Sequence, residues 1–215
     1  MTQGSILVCA PGTPSLGGLS DALAGLGAAV RFTADGEAAA AAIALEKPRA
    51  IALAQTAPGG TVRRRLVEQS LDEWMAHSDD SCIALFETLL AIRKALDGSR
   101  CSIVLIGAGV GQTGAPGHVA LATAAEGQRG LMKSIARQWG PDIRFAWASV
   151  WTPLLHPDVA EEVLPEQPEL GAYRPPLGAR PGWNDVARAV LALADLAEVT
   201  TGQTIMIDGG EWMFP

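Results

Sequence analysis

Cys101-Ser102-Ile103-Val104-Leu105-Ile106-Gly107-Ala108-Gly109-Val110-Gly111-Gln112-Thr113-Gly114-Ala115-Pro116-Gly117 is an apolar run that ends in a cluster of glycines. The apolar half reads as a strand buried on both faces, because it shows no alternation of polar and apolar residues. The glycines read as a turn. A helical run from Val119 to Trp139 follows. Strand, tight turn and helix in that order are the repeating unit of a parallel α/β sheet.

The same order extends outward. Ser5 to Cys9, Ala29 to Thr33 and Ala50 to Ala54 read as strands, as do Ser102 to Ile106, Ile143 to Val150 and Thr204 to Ile207. Helical spacing covers Leu19 to Leu26, stopped by Gly27. Glu37 to Glu46 is alanine-rich and favours helix. Leu71 to His77 reads as a short helix or turn, Ser81 to Leu96 as a long helix, and Asn184 to Leu196 as the last helix. The pattern predicts one domain over residues 1–215, a doubly wound parallel sheet with helices on both faces. Residues 154–180, rich in Pro and acidic residues, read as a mobile excursion before the last helix.

Composition narrows the function classes. The chain of 215 residues is long enough for a sizeable core. A net charge of -7, with no basic patch interleaved with aromatics, argues against nucleic acid or an anionic membrane as partner. No continuous apolar stretch reaches the length of a membrane span. Cys9, Cys82 and Cys101 lie in or beside apolar runs without metal-like spacing, which predicts reduced thiols in a cytoplasmic protein and no metal site. The first residues lack the basic segment of a signal peptide.

The order of three pieces carries a resemblance. They are the turn and helix from Gly111 to Trp139, containing Gly130-Leu131-Met132-Lys133-Ser134-Ile135-Ala136-Arg137; then Pro176-Leu177-Gly178-Ala179-Arg180-Pro181 with Asp185-Val186-Ala187; and the terminal Thr201-Gly202-Gln203-Thr204-Ile205-Met206-Ile207-Asp208-Gly209-Gly210. In this order the chain resembles the short-chain dehydrogenases/reductases over most of its length. The resemblance implies a Rossmann-like sheet, here shortened by about one βα unit between Thr33 and Ala50.

It also implies a catalytic set: a Ser, a Tyr thirteen positions on, a Lys four further, and an Asn on an earlier helix. The Tyr passes a proton to or from the substrate oxygen, the Lys lowers the Tyr pKa and holds the cofactor ribose, and the Ser hydrogen-bonds the substrate oxygen. Anchored on Gly130, the matching positions hold Ala108, Leu121 and Ala125, and the Asn position falls near Ser81. Ala108, Leu121 and Ala125 can neither donate a proton nor carry charge. A positioned acid–base group contributes about 10²- to 10⁴-fold, so the resemblance is to a catalytically incomplete member.

The nucleotide features are altered as well. In the family a glycine-rich first turn lets a pyrophosphate approach backbone amides at a helix N-terminus. The matching loop contains Ala10, Gly12, Ser15 and Gly17, with Ala10 at the first Gly position. Pro11 and Pro14 each remove an amide donor, and Gly17 is expected to keep a packing role against the sheet. The family's Asn-Asn-Ala-Gly appears as Gln55-Thr56-Ala57-Pro58. Its Pro-Gly beside the nicotinamide appears as Val150-Trp151, with Trp151 expected in the space of the ring. No cofactor is expected to be bound by this chain; NAD(P) is expected in a partner subunit.

Other residues carry blander expectations. Asp35 reads as a solvated turn residue rather than a ribose ligand. His118 flanks a helix start; His156 and Tyr173 lie on the excursion and are candidates to line a pocket, with solvent the more usual place for a lone His in a Pro-rich loop; Arg63-Arg64-Arg65 reads as a solvated or locally paired basic run.

The run from Cys82 to Ile92 is apolar around most of a helix, so two faces need cover. The tail carries Trp212, Met213 and Phe214. In the family the matching helix and the last strand lie at subunit interfaces, so Phe86, Leu89, Leu90, Trp212, Met213 and Phe214 are the interface candidates. The leading expectation is a non-catalytic subunit that stabilises or completes an active short-chain dehydrogenase/reductase paralogue in a hetero-oligomer, or pairs with itself. The alternatives are a divergent NAD(P)-dependent oxidoreductase with a non-standard active site, using His118, Tyr173 or water, and a small-molecule binding protein on the same scaffold.

Overall fold

The computed structural model describes residues 5–56, 63–157, 159, 175–197 and 199–213. The strands are β1 (Ile6–Cys9), β2 (Val30–Thr33), β3 (Ala50–Leu53), β4 (Cys101–Ala108), β5 (Ile143–Val150) and β6 (Gln203–Ile207). They form one parallel sheet in the order β2-β1-β3-β4-β5-β6. The helices are α1 (Gly17–Gly25), α2 (Gly36–Glu46), α3 (Leu71–His77), α4 (Asp79–Leu96), α5 (Val110–Thr113), α6 (Val119–Trp139), α7 (Thr152–Leu155) and α8 (Trp183–Leu196). The chain returns from β2 to β3 through α2 alone, and β2 is an edge strand.

Alternation along each strand sorts side chains into two cores. Ile6, Val8, Ala52, Val104 and Ile106 face Leu19 and Leu23 of α1 and Val186, Val190 and Leu193 of α8. Leu7, Cys9, Ile51, Leu53, Ile103 and Leu105 face α2, α4 and α6 through Ile43, Leu85, Leu89, Ile92, Met132 and Ile135. Burial of both faces is why β1 and β3 are apolar throughout and β4 is apolar but for Ser102, whose buried hydroxyl donates to the Ala194 carbonyl at 3.2 Å. The indole of Trp147 lies over Gly107, and a Cβ on Gly107 would fall inside the ring. A glycine is thus required where strands β4 and β5 press together.

Asp35 is exposed at its turn, as expected, and there it caps α2, its carboxylate accepting from the amides of Glu37 and Ala38 at 3.2 and 3.1 Å. Several other expectations are corrected. The glycine that packs in the first turn is Gly18, not Gly17. The Trp183 ring occupies the place of a Gly18 Cβ, whereas a Cβ on Gly17 meets nothing within 4 Å. The stretch after Gly109 is not all turn, because Val110–Thr113 closes one helical turn. Leu154 and Leu155, read as part of the excursion, belong to α7, and Leu155 and Val159 are buried. Residues 160–174, Tyr173 among them, lie outside the described residues.

Candidate functional site

The order in which the chain adds strands reverses between β1 and β3, and in open α/β sheets ligands bind outside the carboxyl ends of the strands at such a switch point. The segments that follow those strands define the site. Gly12 has φ +69 and approaches the β3 side closely enough that a Cβ there would sit 3.2 Å from the Thr56 carbonyl. The Thr56 hydroxyl donates to the Gly12 carbonyl at 2.6 Å and lies 2.9 Å from the buried Thr13 hydroxyl. The Gln55 amide donates to the Pro11 carbonyl at 3.2 Å. The amides of Thr13 and Leu16 already donate to Ala10 and Thr13 carbonyls, both at 3.1 Å. Ser15 donates its hydroxyl to the Leu155 carbonyl at 2.8 Å, tying the start of α1 to α7. Burial raises the Cys9 thiol, at the end of β1, to about 11.

Beside this seam lies a cavity of about 20 Å³, room for about one water. Ser81 of α4, Ala108 of β4, and Leu121 and Ala125 of α6 all line it, so the four positions singled out by spacing converge. Gln55, Thr56, His77, Gln128, Leu155 and His156 complete its polar and apolar walls. Gln128 is buried, and its amide donates to the Gln55 and Ser81 carbonyls at 3.1 and 3.2 Å. Ser81 donates its hydroxyl to the Ser78 carbonyl at 2.9 Å. Ala108 and Ala125 are buried. Two imidazoles, those of His77 and His156, stand among the described lining residues.

His156 corrects its expectation: it is buried on the cavity wall, carried there by α7, and not solvated. His118 is the buried N-cap residue of α6 and does not line the cavity. Trp151 stands outside the cavity. Its ring lies under the Arg180 guanidinium, 5.0 Å from the centroid, and Arg180 grips Glu211 with two hydrogen bonds of 2.9 Å. Asp208 anchors the same tail by accepting from the Gly210 and Trp212 amides at 2.9 Å. Val150, the other residue at that turn, is buried in the sheet, and its carbonyl accepts from the Gly109 amide at 2.8 Å.

Of the interface candidates, Phe86 and Leu90 are exposed, 49% and 47%, and Ile83 joins them on the same stripe of α4. Leu89 is buried in this chain's own core with Leu85 and Ile92. Trp212 is half-buried, Met213 is exposed, and Phe214 lies outside the described residues. The arginine run is locally paired: Arg65 with Glu68, and Arg64 with Glu73 at 3.3 Å.

Sequence reasoning missed Gln128, His77 and Thr13 as members of the site and, outside the cavity, the Arg180–Glu211 pair that holds the tail. Gln128 had a usable signal, an amide on the inward face of an otherwise apolar helix stripe. The others meet only through the fold. Among the described residues no group of three His, Cys, Asp or Glu side chains is placed to hold a metal, and no helix is long and apolar enough to cross a membrane.

Comparison with known proteins agrees with this architecture. The family model described as enoyl-(acyl carrier protein) reductase matches residues 20–211. The 3-oxoacyl-[acyl-carrier-protein] reductase FabG of Salmonella typhimurium is 30% identical over 151 residues, 69% of this chain and 61% of that protein. The match thus spans less than two thirds of the relative. Among solved structures, a short-chain dehydrogenase/reductase family oxidoreductase from Burkholderia thailandensis superposes with a TM-score of 0.71 at 22% identity, over 98% of this chain and 93% of that one. A 3-ketoacyl-(acyl-carrier-protein) reductase from Brucella melitensis, complexed with NADH, gives 0.72 at 17% identity, over 97% and 98%. At those identities the structures speak for the fold alone. The sequence matches carry the assignment further: the chain belongs to the short-chain dehydrogenase/reductase family of oxidoreductases.

Proposed function

We propose that this chain is a non-catalytic subunit of a heteromeric short-chain dehydrogenase/reductase-type oxidoreductase, stabilising or completing an active paralogue that carries the NAD(P). The observation that carries the reading is the cavity itself. Three of its walls are Ala108, Leu121 and Ala125, where the family resemblance places a Ser, a Tyr and a Lys, and its volume is about 20 Å³. Such walls leave no side chain to polarise a carbonyl oxygen from those positions.

The α4 stripe supports the assembly half of the reading. Ile83, Phe86 and Leu90 lie exposed on one line of the helix, with Asp79 toward one end and Lys94 toward the other. An antiparallel helix of the same pattern matches apolar centre to apolar centre and acid to base, whether it comes from a paralogue or a second copy. The buried free thiols Cys9 and Cys101 support a reducing, cytoplasmic location.

The test is co-expression with any short-chain dehydrogenases/reductases of the same genome that keep the Ser, Tyr and Lys set. Co-elution with one of them, and a rise in its kcat or lifetime on mixing, is the expected result. A monodisperse homo-oligomer that leaves every such reductase unbound and unchanged would overturn it. His77 and His156 on the cavity wall favour one second reading, a divergent reductase that uses an imidazole as its acid. NADPH-dependent turnover by the purified chain alone, lost on His156→Gln, would establish that reading instead.

A further inference from the structure

We infer that the ligand crevice of this sheet is closed from within by a hydrogen-bonded clasp built from Gln55, Thr56, Thr13 and Gln128. The inference deepens the non-catalytic reading for this chain's own cleft and is independent of any partner. The argument begins with topology. The crevice between the β1 and β3 ends is where an open α/β sheet presents loop amides and a helix N-terminus to a phosphate-bearing ligand. A ligand there has to displace or share whatever those loops already bind.

Here the two lips bind each other. Thr56 Oγ1 donates to the Gly12 carbonyl at 2.6 Å and meets Thr13 Oγ1 at 2.9 Å. Gln55 Nε2 donates to the Pro11 carbonyl at 3.2 Å. The positive φ of Gly12 lets the backbones close to this distance. Behind the lips, Gln128 Nε2 donates to the Gln55 and Ser81 carbonyls, and Thr88 Oγ1 donates to Gln55 Oε1 at 3.4 Å. The clasp therefore spans the β1–α1 loop, the β3 end, α4 and α6. Gln55 uses its amide hydrogens, its side-chain oxygen and its carbonyl in one network.

The residues present do not fit a dinucleotide bound in that crevice. Pro11 has no amide hydrogen, and those of Thr13 and Leu16 are engaged within the loop. The clasp orders from inside the segments that a bound ligand would order from outside. It also accounts for the burial of polar Thr13 and Gln128, since the Thr13 hydroxyl meets Thr56 across the crevice and the Gln128 amide is satisfied by the Gln55 and Ser81 carbonyls.

The test is hydrogen exchange of the full-length chain, with and without millimolar NADH or NADPH. In the wild type, the amides of Thr13 and Leu16 should be protected to the same degree in all three conditions. Thr13→Val with Thr56→Val keeps shape and removes both hydroxyls; it should speed exchange of those two amides about tenfold or more, since a net hydrogen bond is worth of the order of one decade. Amides of β4 serve as the control for global folding, and Gln55→Met is the second variant if the double one loses them. A wild-type loop that exchanges as freely as the variants removes the clasp and leaves the non-catalytic reading standing. Slowing by either dinucleotide removes both.

Discussion

Replacing Ala125 by lysine restores the charge that the family resemblance places at this position, and the structure says what it costs. Ala125 is 5% exposed, and its Cβ lies 2.9 Å from where a Cβ on Gly111 would stand. Lysine adds three methylenes and an ammonium beside a cavity of about 20 Å³. None of the described lining residues is a carboxylate, and the nearby Glu126 is already paired with Arg129. Overpacking costs about 1–3 kcal/mol, and a buried charge without a partner about 3 kcal/mol more. Ala125→Met carries only the first cost and serves as the reference.

In a domain of this size about 2–4 °C is lost per kcal/mol. The lysine variant should therefore melt about 6–12 °C below the methionine variant at pH 7. The sign of the pH effect follows from the same desolvation. Burial lowers the folded pKa of the new lysine below its unfolded value, so between the two the unfolded state holds more protons and stability rises with pH. The gap between the two variants should narrow as the pH is raised toward about 10. Thermal melts read by circular dichroism measure both effects. A lysine variant that melts together with the methionine variant at pH 7 would show that the wall accepts a cation, and the account of the erased site would fall.

Three further outcomes follow from particular contacts. Gly107→Ala drives a Cβ into the Trp147 indole between two central strands, so it should cost more than about 3 kcal/mol and abolish soluble expression; recovery of folded protein with an unchanged melt would refute the packing described. Arg180→Ala leaves the buried Glu211 carboxylate without its paired guanidinium and should cost about 2–3 kcal/mol, while Arg180→Lys recovers part of it in the same chemical denaturation assay. The Cys9 and Cys101 thiols are pushed up to about 11 and about 12 by burial; folding holds them protonated, so the stability they contribute is present below pH 9 and is lost as the pH rises through those values. Iodoacetamide at pH 8 should label neither in the native chain and both after denaturation, and an unchanged melting temperature from pH 9 to 11 would contradict the shifts.

Chain order and strand position were legible because they depend on local chemistry. Ile143–Val150 and Val119–Trp139 appear with the bounds that their apolar runs and flanking glycines implied. The short helices α5 and α7 were not legible, because one helical turn has no periodicity to read. Leu89 and Phe86 are equally apolar in sequence, and only the packing of α4 on the sheet separates the core residue from the exposed one.

Sequence by itself determined that residues 108, 121 and 125 carry no acid, base or cation, because side-chain chemistry is written at each position whatever the fold. Tertiary structure decided what replaced that chemistry. His77, Gln128 and His156 come together with Ser81 from four separate segments, and Thr13 meets Thr56 across the β1–β3 crevice. Such contacts depend on how distant elements dock, and neither spacing nor propensity along a chain encodes the few ångströms that turn neighbours in space into hydrogen-bond partners.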